Sequence, residues 1–169
     1  MTPTELRAKQ APFKNKYKDD PASALVTLRA VGELRVESVS CRLQFGVEPR
    51  DAGLHPLAGG DGTQACSAEM LLHALVGCAG VTFGAVATSM EVPVRGGTIT
   101  AEGDVDFRGT LGVARDVPIG FQAIRMTFEI DTDAPPEKLA KMIELTERYC
   151  VVYQTLKNSP KLASELRSK

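Results

Sequence analysis

The sequence predicts an α+β fold, because its strand-like and helix-like segments come in separate blocks rather than in strict alternation. β-prone segments dominate the N-terminal part, and an apolar helix follows over 67–89. Two alternating strands come next, and a second helix ends the pattern. A parallel sheet would instead need a helix between successive strands. We therefore expect antiparallel sheets around two long central helices.

The first block contains β-prone segments over 24–31 and 33–37, on either side of Gly32, and a clearer strand over 41–48. In that strand polar residues alternate with an apolar set made of Cys41, Leu43, Phe45 and Val47. Alternation with a period of two predicts a half-buried strand. We expect these segments to form an antiparallel ribbon. Residues 49–65 are rich in Gly, Pro and Asp, which predicts a loop.

The second block contains two alternating segments, over 99–107 and 124–130, which are typical of half-buried antiparallel strands. A loop is predicted between them, over 109–120, because this segment shows no regular pattern.

The last helix is predicted from apolar residues at helical spacing after the two prolines at 135–136. Prolines suit the first turn of a helix, and Asp133 is the expected N-cap. The pattern passes through Cys150 without interruption and should end near Ser159, which precedes a proline.

Composition and charge exclude several classes of protein. The chain has 169 residues with 20 Lys and Arg against 21 Asp and Glu, a net charge of −1 that argues against nucleic acid and anionic membranes as partners. No export signal opens the sequence, so we expect a cytoplasmic protein with reduced cysteines. Residues 1–20 are polar and lysine-rich and are expected to form a terminal arm, with the folded domain over 21–169.

The uncharged run over 70–90 is long enough to span a membrane. It is nevertheless rich in small residues and has neither aromatic nor basic flanks, so we expect a buried helix and no membrane. Its glycines at 77, 80 and 84 suggest close approach of another helix. A helix that is apolar on nearly every side needs more cover than one chain of this length supplies. The sequence therefore favours an intertwined homodimer.

Four cysteines are the residues best suited to chemistry. Cys78 lies among small residues in the first long helix, and Cys150 lies in the second. Rigid helices suit a paired-thiol site. The two cysteines are 72 positions apart in the sequence, however, which does not establish contact, and buried free cysteine often only fills the core. Cys41 fits the core interpretation. Cys66 lies at a loop–helix junction, where a helix N-terminus favours a thiolate.

Other chemistries lack their usual motifs. The only histidines, His55 and His73, belong to no zinc-like spacing, and there is no Gly-x-Ser-x-Gly sequence. The glycines at 59–62 precede a helix but lack the lysine of a phosphate loop. We therefore expect neither a metal nor a bound cofactor.

Four segments together resemble the OsmC/Ohr family of thiol peroxidases: 60–78, 103–112, 118–125 and 146–156. The resemblance extends from about residue 26 to 166. It implies an intertwined homodimer with two active sites at the subunit interface and reduction of organic hydroperoxides. Cys78 would be the peroxidatic thiolate that becomes a sulfenic acid, and Cys150 would form the disulfide with it. An external thiol, usually dihydrolipoamide in the family, would then reduce the protein.

The chain departs from the family pattern at the groups that activate the thiol. The peroxidases use an arginine held by a glutamate ten residues before the first cysteine, where this chain has Ala68. Glu69 is displaced by one position, so it should point away from Cys78, whereas Ser67 lies nearly in line with that cysteine. Arg42 is the arginine we expect in the activating role, chosen from Arg29, Arg35, Arg42 and Arg108.

Two other functions follow from the same departure. In the first, the dimer has lost peroxidase activity and binds a small apolar or thiol-bearing ligand between its subunits. A purely structural dimer would have inert thiols.

Overall fold

The computed structural model describes residues 1–44, 46 and 48–168. Phe45 and Val47, assigned above to the strand over 41–48, lie outside the described residues. The helices and strands, in chain order, are α1 (Pro3–Asp19), β1 (Gly32–Arg35), β2 (Ser40–Leu43), β3 (Arg50–Gly53), β4 (Ala65–Cys66), α2 (Ser67–Ser89), β5 (Gly96–Asp104), α3 (Phe107–Thr110), β6 (Ala123–Asp131), α4 (Pro136–Tyr149) and α5 (Val151–Lys157). This α+β architecture confirms the predicted class.

The N-terminal sheet has the strand order β1-β2-β3-β4. The first three strands are antiparallel, which confirms the ribbon after Gly32, and β3 pairs parallel to β4. No strand covers residues 24–31, so that part of the prediction is wrong. The predicted loop over 49–65 is wrong in part, because it contains β3 and β4. These short strands are held by backbone hydrogen bonds, which the glycine-rich composition of the segment does not reveal.

The second sheet pairs β5 with β6 in antiparallel register from Gly96 opposite Asp131 to Asp104 opposite Ala123. Exposed and half-buried residues alternate along the whole of β6, as predicted. β5 ends at Asp104, short of the predicted end at Phe107. Asp106 explains the difference, because its carboxylate accepts the Arg108 N–H at 3.0 Å and caps α3. The predicted loop over 109–120 therefore begins within that short helix.

Helix α2 has the bounds predicted from the sequence and lies at the centre of the domain. It contacts α1, α4, α5 and β5. Its second half forms a core with α4, whose buried members are Phe83, Val86, Ala87, Val92 and Met142. By length and composition alone, α2 could cross a membrane. This is weak evidence for a membrane span, because the core helix of a folded domain meets the same criteria. Much of its surface is nevertheless uncovered in the single chain, as at Val81, which is 78% exposed.

The predicted last helix is broken into two, which corrects the expectation of a helix uninterrupted at Cys150. Cys150 has φ −74° and ψ 111°, so its backbone is extended between α4 and α5. Its own N–H still donates to the Thr146 carbonyl at 2.9 Å. Its Sγ accepts the Tyr153 N–H at 3.5 Å and thereby caps the next helix. Apolar spacing is nearly unchanged across such a single-residue break, so the sequence pattern conceals it.

The start of this helix also differs from the prediction. Pro135, rather than Asp133, is the N-cap of α4. Asp133 instead forms an ion pair with Arg95, next to the pair between Arg95 and Asp131. The segment 1–20 contains helix α1, whose Thr2 and Glu5 form a capping box. Arg7 on α1 reaches Glu91 beyond the end of α2 at 3.4 Å.

We expect Met142→Ala to destabilise the protein by about 2–5 kcal/mol, because Met142 is fully buried between α2 and α4 and its loss leaves a cavity. Denaturant unfolding followed by circular dichroism measures the change. Leu162→Ala is the control, since Leu162 is 91% exposed in the C-terminal segment. Equal stability of both variants would contradict this assignment of the core.

Candidate active site

The two cysteines of the long helices lie together in the folded chain. Cys78 projects from α2, and Cys150 lies at the junction between α4 and α5. Cys150 is fully buried in a cluster with Leu75 and Ala79, and half-buried Cys78 packs against the same cluster. Each thiol also contributes to the pKa shift of the other. The pair that was only a candidate in the sequence is therefore a contact in the structure.

Helical geometry and the break at Cys150 together make this contact. Leu75, Cys78 and Ala79 lie on one face of α2, because positions three and four apart are neighbours on a helix. That face packs against α5, whose contributing residues are Val152, Tyr153 and Leu156. Since α5 starts anew after Cys150, its first N–H groups have no partner in a preceding helical turn. These groups are free to face the thiols.

The surroundings of Cys78 favour its thiolate. Burial opposes ionisation of this thiol, but hydrogen bonds from the Val152 N–H, the Cys150 thiol, the Val151 N–H and the Thr82 hydroxyl lower its pKa overall. Each donor stabilises the charged sulfur more than the neutral one. The net shift therefore increases the fraction of thiolate at neutral pH.

The pKa of Cys150 moves in the opposite direction. Burial raises the pKa of this thiol, and the Tyr153 N–H offsets that effect only in part. Its hydrogen bond to Cys78 and the negative charge on Cys78 raise the pKa of Cys150 further. The opposite shifts make Cys78 the more acidic thiol of the pair.

The structure places the proposed activating arginine in the N-terminal sheet. Arg42 lies in β2, with its Nε 3.6 Å from Oδ1 of Asp51 on β3. Within residues 1–44, 46 and 48–168, the groups that lower the pKa of Cys78 are hydrogen-bond donors, and no arginine is among them. The activating role of Arg42 therefore stays a prediction.

Ser67 and Glu69, which precede Cys78 on α2, also have defined places in the structure. Glu69 is exposed, and its carboxylate lies 3.9 Å from Nε2 of His55. Ser67, which the helical spacing placed in line with Cys78, lines a groove of the N-terminal sheet together with Leu34 and Cys41.

A groove of about 690 Å³ lies beside the cysteine cluster. It shares with that cluster the side chains of Leu75, Ile124, Met126, Phe128, Tyr153 and Leu156. Polar groups complete its lining at Gln122, Glu147 and Lys157. An apolar surface with a few polar groups is typical of a small-molecule site.

Sequence reasoning missed the donors around Cys78. Val151 and Val152 act through their backbone, which carries no signature in residue type. Thr82 offered a weak signal, because it lies one helical turn after Cys78, where a hydroxyl can reach back. Across the described ranges, with their gaps at 45 and 47, no group of three or more His, Cys, Asp and Glu side chains is placed to bind a metal.

Solved structures show that this fold is the OsmC-like one. An OsmC-like protein from Mycoplasma pneumoniae superposes with a TM-score of 0.67 at 15% identity, covering 79% of this chain and 89% of that one. An organic hydroperoxide resistance protein from Legionella pneumophila gives 0.62 at 10% identity, covering 79% and 93%. Another from Elizabethkingia anophelis gives 0.62 at 15% identity, covering 80% and 91%.

The sequence comparisons agree with this result at the level of the family. No curated protein has a significantly similar sequence. The model of the OsmC-like protein family matches residues 60–165, which include both cysteines of the site and more than half of the chain. This protein therefore belongs to the OsmC-like family.

Proposed function

We propose that this protein reduces organic hydroperoxides through a thiol cycle between Cys78 and Cys150. The observation that carries the proposal is the contact between two thiols whose pKa values are shifted in opposite directions. A peroxidatic thiol must be ionised to attack, whereas a resolving thiol must remain available until the first has reacted. Organic hydroperoxide resistance proteins from Legionella pneumophila and Elizabethkingia anophelis share the fold, which supports the same choice of substrate.

In the first step the Cys78 thiolate attacks the terminal oxygen of the hydroperoxide. The S–O bond forms as the O–O bond breaks, and the leaving alkoxide takes up a proton to become an alcohol. Cys78 is then a neutral sulfenic acid. The charge on Cys78 that raised the pKa of Cys150 is removed by the reaction. Oxidation of one thiol thus prepares the other for the second step.

In the second step Cys150 attacks the sulfur of the Cys78 sulfenic acid. The S–S bond forms, the S–O bond breaks, and hydroxide leaves as water with the proton of Cys150. An external dithiol then returns the protein to its starting state by two exchange steps and is itself oxidised to a disulfide. A cytoplasmic location, where thiols are kept reduced, would supply that reductant.

A second candidate function is the binding of a small apolar or thiol-bearing ligand without turnover. The groove of about 690 Å³ beside the cysteines favours it, because its apolar walls suit such a ligand. The same groove would hold the organic group of a hydroperoxide in the peroxidase. The reactivity of Cys78 separates the two functions.

We also propose that the functional unit is a homodimer. Large apolar side chains are exposed along the segment before and within the N-terminal sheet, among them Leu25, Val26, Leu28, Leu34 and Val36. On α2, a Cβ added at Gly77 or Gly84 would meet no described atom beyond its own helix within 4 Å. Exposed apolar area of this extent is typical of a protein–protein interface. A second copy would cover both surfaces.

Reduced protein treated with one equivalent of tert-butyl hydroperoxide should lose the mass of two hydrogen atoms, located by peptide mapping at Cys78 and Cys150. Cys78→Ser should lower hydroperoxide consumption to the rate in buffer alone. Cys150→Ser should gain one oxygen atom as a trapped sulfenic acid, since the resolving sulfur is absent. Cys41→Ser is the control and should behave like the wild type. Intact thiols after prolonged exposure would favour the ligand-binding function.

The two thiols should also differ in their reaction with iodoacetamide. Cys78 should be alkylated first at pH 7, and its rate should level off at a lower pH than that of a free cysteine, because its pKa is lowered. Cys150 should react slowly until the pH exceeds its raised pKa. Peptide mapping after quenched reactions at several pH values measures both rates. Faster alkylation of Cys150 at neutral pH would reverse the assigned roles.

Val81→Arg should raise the dimer dissociation constant by at least about tenfold, because it would place an unpaired charge in the proposed interface on α2. Sedimentation equilibrium at several concentrations measures this constant. Val113→Arg is the matched control, since Val113 is 72% exposed in a loop away from α2. A monomeric wild-type protein would refute the proposed assembly.

A further inference from the structure

Thr82 lies one helical turn after Cys78 and has two acceptors within reach of one hydroxyl. Its Oγ1 donates to the Cys78 carbonyl oxygen at 2.8 Å. The same hydroxyl also acts on the Cys78 thiol, whose pKa it lowers. Both acceptors belong to the residue that carries the proposed chemistry, and Thr82 itself is half-buried.

A threonine hydroxyl has a single proton, so it serves one of these acceptors at a time. A neutral thiol is a weak acceptor, and the carbonyl oxygen therefore holds the proton while Cys78 is protonated. A thiolate is a charged acceptor, and hydrogen bonds to ionised groups are about twice as strong as neutral ones. Ionisation of Cys78 should accordingly draw the hydroxyl proton from the carbonyl to the sulfur.

We propose that Thr82 is a switching hydrogen-bond donor that stabilises the Cys78 thiolate. The inference rests on the proposed function for its catalytic meaning, but the hydrogen bond itself is measurable without any peroxide. In the described chain, the side-chain donors that lower the pKa of Cys78 are Cys150 and Thr82, while Val151 and Val152 act through their N–H groups.

The other titratable groups near this site come from several elements. Cys150 contacts the thiol from the α4–α5 junction, and Tyr153 packs in the same cluster from α5. Burial raises the pKa of the Tyr153 phenol, and the negative charge of Glu147 on α4 raises it further. Lys14 on α1 lines a cavity of about 470 Å³ together with Thr82. Lys14 is therefore the rival source of stabilisation for a negative charge, and the test must separate it from Thr82.

The test compares Thr82→Val, which removes the hydroxyl and keeps the shape, with Thr82→Ser, which keeps the hydroxyl. The rate of Cys78 alkylation by iodoacetamide is followed against pH in the reduced full-length protein. Thr82→Val should raise the pKa of Cys78 by about one unit, since the hydroxyl favours the charged form. Thr82→Ser should restore the wild-type profile.

The shape of that profile distinguishes an electronic effect from a structural one. A thiolate with a higher pKa is a better nucleophile, with a Brønsted coefficient of about 0.4–0.5. For Thr82→Val the rate at pH 7 should therefore fall about threefold, while the plateau at high pH should rise about threefold. A merely disturbed helix would change both rates in the same direction or leave the pKa unchanged.

Thr88→Val is the matched control. Thr88 also lies on α2 and donates to the carbonyl oxygen four residues earlier, at Gly84, over the same 2.8 Å. This variant loses the same kind of helix hydrogen bond away from the cysteines and should leave the profile unchanged. Equal profiles for Thr82→Val and Thr88→Val would overturn the proposal. A raised pKa in Lys14→Met, with none in Thr82→Val, would also overturn it and assign stabilisation to α1.

The same variants are then exposed to tert-butyl hydroperoxide. If the proposed function holds, Thr82→Val should form the disulfide about threefold more slowly than the wild type at pH 7, as in alkylation. If no variant reacts with the peroxide but the pKa shift is present, the peroxidase proposal fails and the role of Thr82 stands. If wild type and Thr82→Val react with the peroxide at equal rates and no pKa shift is present, the peroxidase proposal stands and the role of Thr82 fails.

Discussion

The extended backbone at Cys150 is the feature on which the site depends. A continuous helix through this position would direct every N–H group after it to a carbonyl oxygen four residues earlier. The break instead releases the N–H groups at the start of α5, and two of them, from Val151 and Val152, lower the pKa of Cys78. It also buries Cys150 completely against α2. One backbone conformation thus supplies the donors for one thiol and the position of the other.

The two thiols are best understood as a single titrating unit. Cys150 contributes to the lowered pKa of Cys78, and the charge on Cys78 contributes to the raised pKa of Cys150. Strongly interacting groups release protons in steps that belong to the pair rather than to either residue. Backbone N–H groups act on both sulfurs, those of Val151 and Val152 on Cys78 and those of Tyr153 and Val152 on Cys150, but burial and the charge on Cys78 keep the pKa of Cys150 raised. Oxidation of Cys78 removes that charge and with it the electrostatic penalty on Cys150, so the order of the proposed steps follows from the coupling.

Much of the fold was accessible from the sequence, because long patterns average over local irregularities. The bounds of α2 and the alternation along β6 follow from apolar periodicity over many residues. The strand β3 and the break at Cys150 could not be predicted from that periodicity, because both depend on backbone hydrogen bonds that correlate only weakly with residue type. Contact between Cys78 and Cys150 required the packing of α2 against α5. The two cysteines of the site could therefore be named from the sequence, but the groups that surround Cys78 could be identified only from the three-dimensional structure.

The side-chain hydroxyl and backbone donors that lower the pKa of Cys78 have an energetic consequence over the proposed cycle. A guanidinium that no carboxylate also holds is paired beside a buried thiolate only while that thiolate exists. Once Cys78 enters a neutral sulfenic acid or disulfide, such a cation would be left uncompensated. The N–H groups of Val151 and Val152 and the Thr82 hydroxyl carry no net charge, and Thr82 can return its proton to the Cys78 carbonyl oxygen. The two backbone donors are fixed before the reaction, so they can stabilise the charge on Cys78 with little reorganisation. A site of this kind would stabilise the thiolate less than a cation does. It would, however, contain no unpaired buried charge while Cys78 is a sulfenic acid or part of a disulfide.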